Sequence, residues 1–192
     1  MGKIVITEFV SLDGVMEDPG GSEDFVHGGW TFEIPRGEEG DKFKLDETKE
    51  AEALLLGRVT YEGFAEAWPS REGEFADKFN TMPKYVVSTT LENPGWTNST
   101  VISGEVGAEV SRLKQELDGD LVVHGSASLV QALTQEDLVD EYRLMVFPTV
   151  LGSGKRLFGD TDVARTLELV DAKPVGPDGV VILTYVPAPA ES

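Results

Sequence analysis

Short, unbroken apolar runs recur along this chain, and most of them lead into a segment with helical spacing. Lys3–Val10 (KIVITEFV), Ala53–Leu56 (ALLL), Lys84–Val87 (KYVV), Ser99–Ile102 (STVI) and Leu121–Val123 (LVV) are too short for buried helices. They do not alternate polar with apolar residues, as a half-solvated strand would. Strands of this kind are buried on both faces, and helices between them do the covering. Val59–Trp68 supplies one, with Tyr61, Phe64, Ala65 and Trp68 at i, i+3, i+4 and i+7. Glu105–Leu117 turns Val106, Val110, Leu113 and Leu117 inward, and a third helix carries Leu129, Val130 and Leu133. The charged stretch Glu38–Glu52 is helical in composition.

Three more strands complete the pattern. Glu141–Val150 is one, and Arg165–Val170 and Val181–Val186 alternate polar and apolar residues around a Gly-Pro-Asp-Gly turn, as an antiparallel hairpin does. The expected fold is therefore α/β, with about eight strands in a mostly parallel sheet, an antiparallel C-terminal edge and helices on both faces. With 192 residues and no internal repeat or break in composition, the expectation is one domain over 1–192, with 187–192 as a flexible tail.

The chain holds 35 acidic and 16 basic residues, for a net charge of −19. Such a surface repels phosphate backbones and anionic lipid heads, which argues against nucleic-acid and membrane partners. It also suits a high-salt habitat, where screening blunts self-repulsion. There is no cysteine, so disulfides, thiolate nucleophiles, Cys-ligated zinc and iron–sulfur clusters are excluded, and His27 and His124 are too few for a His-rich metal site. The start of the chain has no signal-peptide pattern, and no apolar run reaches the ~20 residues of a membrane span. The expected location is the cytoplasm. Asn98-Ser99-Thr100 is read as a chance sequon.

Two junctions share one construction. LLLG-RVTYEGF and LVVHG-SASLVQAL each run from a buried strand through a glycine and hydroxylated residues into an amphipathic helix. The first turn of a helix leaves N–H groups unpaired, and its dipoles add positive potential. Glycine lets a phosphate approach the backbone. Two such ends at the carboxyl edge of one sheet could hold the two phosphates of a dinucleotide. Thr60 or Ser126 could instead cap its helix. Ser88-Thr89-Thr90 offers three more hydroxyls after a strand. Other templates fail: no G-x-G-x-x-G follows the first strand, no P-loop or nucleophile elbow is present, and Asp13–Asp18 lacks calcium-loop spacing. Ser11–Gly37 is a long Gly- and acid-rich loop, of the length that usually serves function.

In their order, SLDG (Ser11–Gly14), LLLGRVTYEGF (Leu54–Phe64), VVHGSASLVQAL (Val122–Leu133) and FPTVLGSGKRLF (Phe147–Phe158) resemble the dihydrofolate reductase-like superfamily. The resemblance spans roughly Lys3–Val186 and is closest to the reductase domain of the riboflavin-biosynthesis deaminase–reductase. It implies a three-layer fold, NADPH as hydride donor and a homodimer. It puts Gly57, Arg58 and Thr60 on the cofactor's phosphates, with Arg58 on the 2′-phosphate. Ser88 and Thr89 fall by the adenosine ribose, and Gly125, Ser126, Ala127 and Ser128 on the second pyrophosphate turn. Val10 and Ser11 would lie beside the nicotinamide, under a mobile loop from Asp13 to Gly21.

Two departures stand out: the family's Gly-Gly turn reads His124-Gly125 here, and the deaminase half is absent. Asp41 and Asp46 lie where dihydrofolate reductase carries a helix carboxylate near the pterin. The resulting expectation is an NADPH-dependent reductase acting on a small heterocyclic or sugar-amine substrate, such as 5-amino-6-(5-phosphoribosylamino)uracil. Asp13 would orient the substrate or relay a proton, and Lys155 and Arg156 would meet a substrate phosphate. The alternatives are a pterin substrate, or a nucleotide-binding module without hydride transfer.

Overall fold

A computed structural model describes residues 1–189. Among them the strands are β1 (Ile4–Ser11), β2 (Ala53–Gly57), β3 (Lys84–Val87), β4 (Ser99–Ile102), β5 (Leu121–Val123), β6 (Glu141–Phe147), β7 (Leu167–Val175) and β8 (Val180–Pro187). The helices are α1 (Gly37–Glu50), α2 (Arg58–Ala67), α3 (Glu74–Thr81), α4 (Val106–Glu116) and α5 (Ala127–Gln135). One sheet holds all eight strands in the order β4-β3-β2-β5-β1-β6-β8-β7. From β4 to β6 every pairing is parallel, while β8 runs antiparallel to both β6 and β7. The expected α/β architecture and its antiparallel C-terminal edge are present.

The period of two along each strand sorts the core into layers. Ile4, Ile6, Leu55, Leu121 and Val123 face α4 and α5, where Val110, Leu113, Val130 and Leu133 meet them. Val5, Leu54, Leu56, Val86 and Val122 face the other way, onto Tyr61 of α2 and Phe79 of α3. A third cluster joins Trp30, Met145, Phe147, Val180 and Ile182, with Phe43 of α1 packed against it. Fully burying one such Leu or Ile contributes about 1.5–3 kcal/mol.

Four expectations need correction. β6 stops at Phe147 rather than Val150, because Pro148 has no N–H for the ladder and Thr149 N turns back to Phe147 O at 2.8 Å. β7 runs on past residue 170 to Val175, through a bulge at Leu169/Asp171. It can carry Pro174 because it is the outermost strand, where a missing donor costs no ladder bond. Helix α3 was not expected, since two turns with Phe75, Ala76 and Phe79 are too short to show a period. The expected tail from 187 is paired at its start: Pro187 lies opposite Leu167, and Ala188 N donates to Thr166 O at 3.0 Å. The end of that tail, 190–192, lies outside the described residues.

One buried cation ties α3 to the sheet. Lys84 is wholly buried, and its Nζ donates to the carbonyls of Asn80 (3.0 Å), Met82 (2.8 Å) and Thr97 (3.0 Å) while standing 4.2 Å from the Trp96 ring centre. Burial lowers its pKa from 10.5 to about 8. Lys84→Met strands the three carbonyls, and urea unfolding at pH 7 should show a loss of about 1–3 kcal/mol. Between pH 8 and 10.5 the unfolded chain binds the lysine proton more than the folded chain does. Wild-type stability should therefore gain on that of the variant as pH rises through this window.

Candidate functional site

Because the strands from β4 to β6 run parallel, β3, β2, β5 and β1 all end at one edge of the sheet. There β2 lies beside β5, with Leu55 opposite Val123. The two glycine junctions are therefore in contact. A Cβ on Gly57 would lie 2.5 Å from Ser126 Oγ, and a Cβ on Gly125 would lie 2.6 Å from Thr60 Oγ1. Gly125 also has φ of +54°, and its peptide bond to Ser126 is cis. Any larger residue at either glycine would force the junctions apart.

Both helices begin without a side-chain cap. Gly57 and Ser126 hold the N-cap positions in extended backbone, and neither first turn has an acidic residue. Ser126 Oγ bonds Ser128 Oγ at 3.0 Å rather than a helix amide. The amides at the starts of α2 and α5 are thus available to an anion, and both dipoles favour one.

The other cofactor candidates surround this contact. Arg58 forks onto Glu62 through Nη1 at 2.8 and 3.1 Å, an exposed i,i+4 pair. Pairs of this kind contribute only about 0.3–0.5 kcal/mol, so an incoming anion could take over the guanidinium cheaply. Ser88 and Thr89 follow β3, on the far side of β2. Ser88 Oγ accepts from Thr90 N (3.1 Å) and Leu91 N (3.0 Å), so it shapes the turn, whereas Thr89 is exposed. Val10 and Ser11 end β1 and are buried.

Asp13 closes a clasp. Its carboxylate accepts from Ser11 Oγ (2.6 Å) and from the amides of Leu151 (3.2 Å) and Gly152 (2.8 Å). These bonds, that of Ser11 foremost, hold its pKa at about 2. Ionised at neutral pH, Asp13 serves these three donors as an acceptor. Lys155 and Arg156 belong to the same clasp. Lys155 Nζ stands 3.1 Å from Glu17, and the Arg156 guanidinium donates to the Asp13 carbonyl.

A buried polar cluster went unread in the sequence. Lys44 and Glu47 form an ion pair on the inward face of α1. Lys44 Nζ donates to Thr7 Oγ1 at 2.8 Å, and Thr7 Oγ1 donates to Glu47 Oε1 at 2.9 Å. Glu47 Oε2 and His124 Nε2 are buried without a hydrogen-bond partner among the described residues. The His124 ring packs on Phe79 (5.4 Å) and Phe64 (6.3 Å). Burial, and then the charge of Lys44, push its pKa well below the usual histidine value, so it is neutral. On β1, the Glu8 carboxylate accepts from Gly125 N. Burial raises its pKa to about 8, the Gly125 bond and Lys44 oppose the rise, and Glu47 adds to it.

Asp41 and Asp46 are not the inward carboxylates of this helix. Asp41 pairs with Arg36 at 2.6 Å and Asp46 with Lys42, both on the outer surface. The buried positions are Gly40, Lys44, Glu47 and Thr48, spaced i, i+4, i+7 and i+8. That spacing was the available signal, carried by polar residues instead of apolar ones.

Among the described residues no cluster of His, Cys, Asp and Glu could hold a metal ion, and no helix is long and apolar enough to cross a membrane. Cavities of about 210 Å³ (Tyr142, Phe158, Leu167) and about 600 Å³ (Tyr61, Leu91, Trp96) are not lined by the glycines of either junction. Glu47→Ala leaves Lys44 as an unpaired buried charge and should cost about 3–5 kcal/mol in chemical denaturation. Lys44→Met with Glu47→Leu should lose clearly less than the two single losses summed.

The chain matches the family model of the RibD C-terminal domain over residues 2–181. It is 32% identical over 186 residues to the uncharacterized protein YwjB of Bacillus subtilis (strain 168), covering 97% of this chain and 98% of that one. A solved structure from Shewanella sp. PV-4, whose name ascribes it to riboflavin biosynthesis, superposes with a TM-score of 0.78 at 22% identity, covering 97% of this chain and 99% of that one. The Thermotoga maritima diaminohydroxyphosphoribosylaminopyrimidine deaminase/5-amino-6-(5-phosphoribosylamino)uracil reductase gives 0.63 at 16%, covering 97% of this chain and 57% of that one. At these identities both structures speak for the fold.

Proposed function

Because this chain belongs to the RibD C-terminal domain family, we propose that it binds NADPH across its two touching helix N-termini and reduces a small heterocyclic or sugar-amine substrate. The observation that carries the reading is the contact between two uncapped helix starts, each entered through a glycine that admits no side chain. The residues present fit a dinucleotide. Gly57, Arg58 and Thr60 on one side, and Gly125, Ser126, Ala127 and Ser128 on the other, would hold the pyrophosphate. Arg58 would exchange Glu62 for the 2′-phosphate, a bidentate partner for guanidinium. Thr89 would meet the adenosine ribose, and Val10 and Ser11 would flank the nicotinamide. When bound, NADPH supplies the hydride.

The chain's own contribution is position and field. Lys44 and Thr7 can hold a substrate carbonyl or hydroxyl. Glu47 Oε2, without a hydrogen-bond partner among the described residues and 3.9 Å from Arg143 Nη1, can take a substrate N–H. His124, neutral, can donate or accept at Nε2. Asp13, Lys155 and Arg156 keep the loop after β1 closed over residues 151–156. The family points to a ribosylaminopyrimidine such as 5-amino-6-(5-phosphoribosylamino)uracil. Glu47 favours a second reading, a pterin, because it is a buried carboxylate on the first helix.

Titration of NADPH and NADH, followed by nicotinamide fluorescence, tests the proposal. Arg58→Ala should weaken NADPH about 10–100-fold, the value of one or two charge-assisted bonds, and leave NADH nearly unchanged. Equal weakening would remove Arg58 from the 2′-phosphate, and no binding of either nucleotide would end the proposal. NADPH oxidation assayed with pyrimidine ribosylamines and with dihydropterins separates the two substrate readings.

A further inference from the structure

A buried carboxylate is out of place beside an anion site, yet Glu8 occupies that position. Its neighbours on β1, Ile6 and Val10, point into the layer beneath α5, and Glu8 follows their alternation. Its Oε1 accepts the amide of Gly125, one residue before the N-cap of α5. Gly125 N is therefore committed inward, and the donors left for a phosphate are the amides from Ser126 onward.

We propose that Glu8 is a positioning residue for this turn, and that binding of an anionic dinucleotide is coupled to uptake of one proton by Glu8. The inference rests on the reading of the turn as a pyrophosphate site. The charged groups that act on Glu8 are Lys44 and Glu47 from α1; His124, just after β5, feels the charge of Lys44, and Arg143 on β6 stands 3.9 Å from Glu47. The turn and the start of α5 bring only hydroxyls, those of Ser126 and Ser128. Lys44 is already shared with Glu47 and Thr7, and His124 is neutral. A pyrophosphate on the outer side of the turn adds negative charge, which Arg58 at the start of α2 answers from the other junction and not from beside Glu8. Like charges in a poorly solvated site cannot both persist, so the carboxylate takes a proton. Protonated Glu8 can still accept from Gly125 N through its carbonyl oxygen while its hydroxyl becomes a donor.

Without the nucleotide, Glu8 ionises near pH 8, and with it the proton is held to higher pH. Affinity is then complete below pH 8 and falls as pH rises past it, by about tenfold between pH 7 and pH 9. The experiment measures Kd for NADPH and for NADH from pH 7 to 9, with calorimetry at pH 9 in two buffers of different ionisation heat. Both nucleotides should lose about tenfold, which sets the effect apart from the 2′-phosphate, and calorimetry should show nearly one proton taken up. Glu8→Gln, an isosteric neutral acceptor for Gly125 N, should bind with the same Kd across the range and take up none. If that variant does not fold, the wild-type proton count decides. A wild-type Kd independent of pH with no proton uptake overturns the inference and leaves the NADPH reading intact. A pH loss that persists in Glu8→Gln overturns the assignment to Glu8. Absence of NADPH binding at every pH overturns both.

Discussion

The close approach of Gly57 to Ser126 and of Gly125 to Thr60 is the constraint on which the rest of the site depends. It follows from strand order. β5 is inserted between β2 and β1, so two helices far apart in sequence start side by side at one sheet edge. Their backbones come within reach of a single ligand because each contact sets a glycine, Gly57 or Gly125, against the other junction's hydroxyl side chain. With no side-chain cap and no acid in either first turn, two positive dipole ends converge on one spot in a protein of net charge −19. Such a spot attracts an anion against the field of the whole molecule.

Behind that edge lies an interior that stability alone does not explain. Burying Lys44 and Glu47 costs desolvation that their attraction roughly offsets, and apolar residues of similar volume would serve a core at least as well. Glu47 Oε2 and His124 Nε2, without hydrogen-bond partners among the described residues, add to that cost. Buried polar groups beside the carboxyl ends of parallel strands, with burial raising the pKa of Glu8 and lowering that of His124, are characteristic of ligand sites. By contrast, Lys84 answers its burial fully with three carbonyls and an indole face, and it reads as a structural cation.

Much of this was legible in the sequence. Lys84–Val87, Ser99–Ile102 and Leu121–Val123 declared themselves through local composition and appear with those bounds. The glycine junctions were legible because their chemistry is local too. The second half of β7 was not, because an exposed edge strand is free to be polar and to contain Pro174. The α1 site was hidden for a related reason. Polar residues at helical spacing suit solvent as well as an interior, so nothing local separates the outward Asp41 and Asp46 from the inward Lys44 and Glu47. Asp13 stands in the sequence as a lone carboxylate after the first strand. Its partners at Leu151 and Gly152 lie 138 and 139 residues away, beyond any local pattern.

The central claim is that the two helix starts act as one binding surface. Backbone amide chemical shifts during an NADPH titration test it most directly. The account predicts that the amides of Arg58, Val59 and Thr60 and those of Ser126, Ala127 and Ser128 shift together along one saturation curve. Shifts confined to one of the two groups, or centred instead on the residues around Phe158 and Leu167, would contradict it.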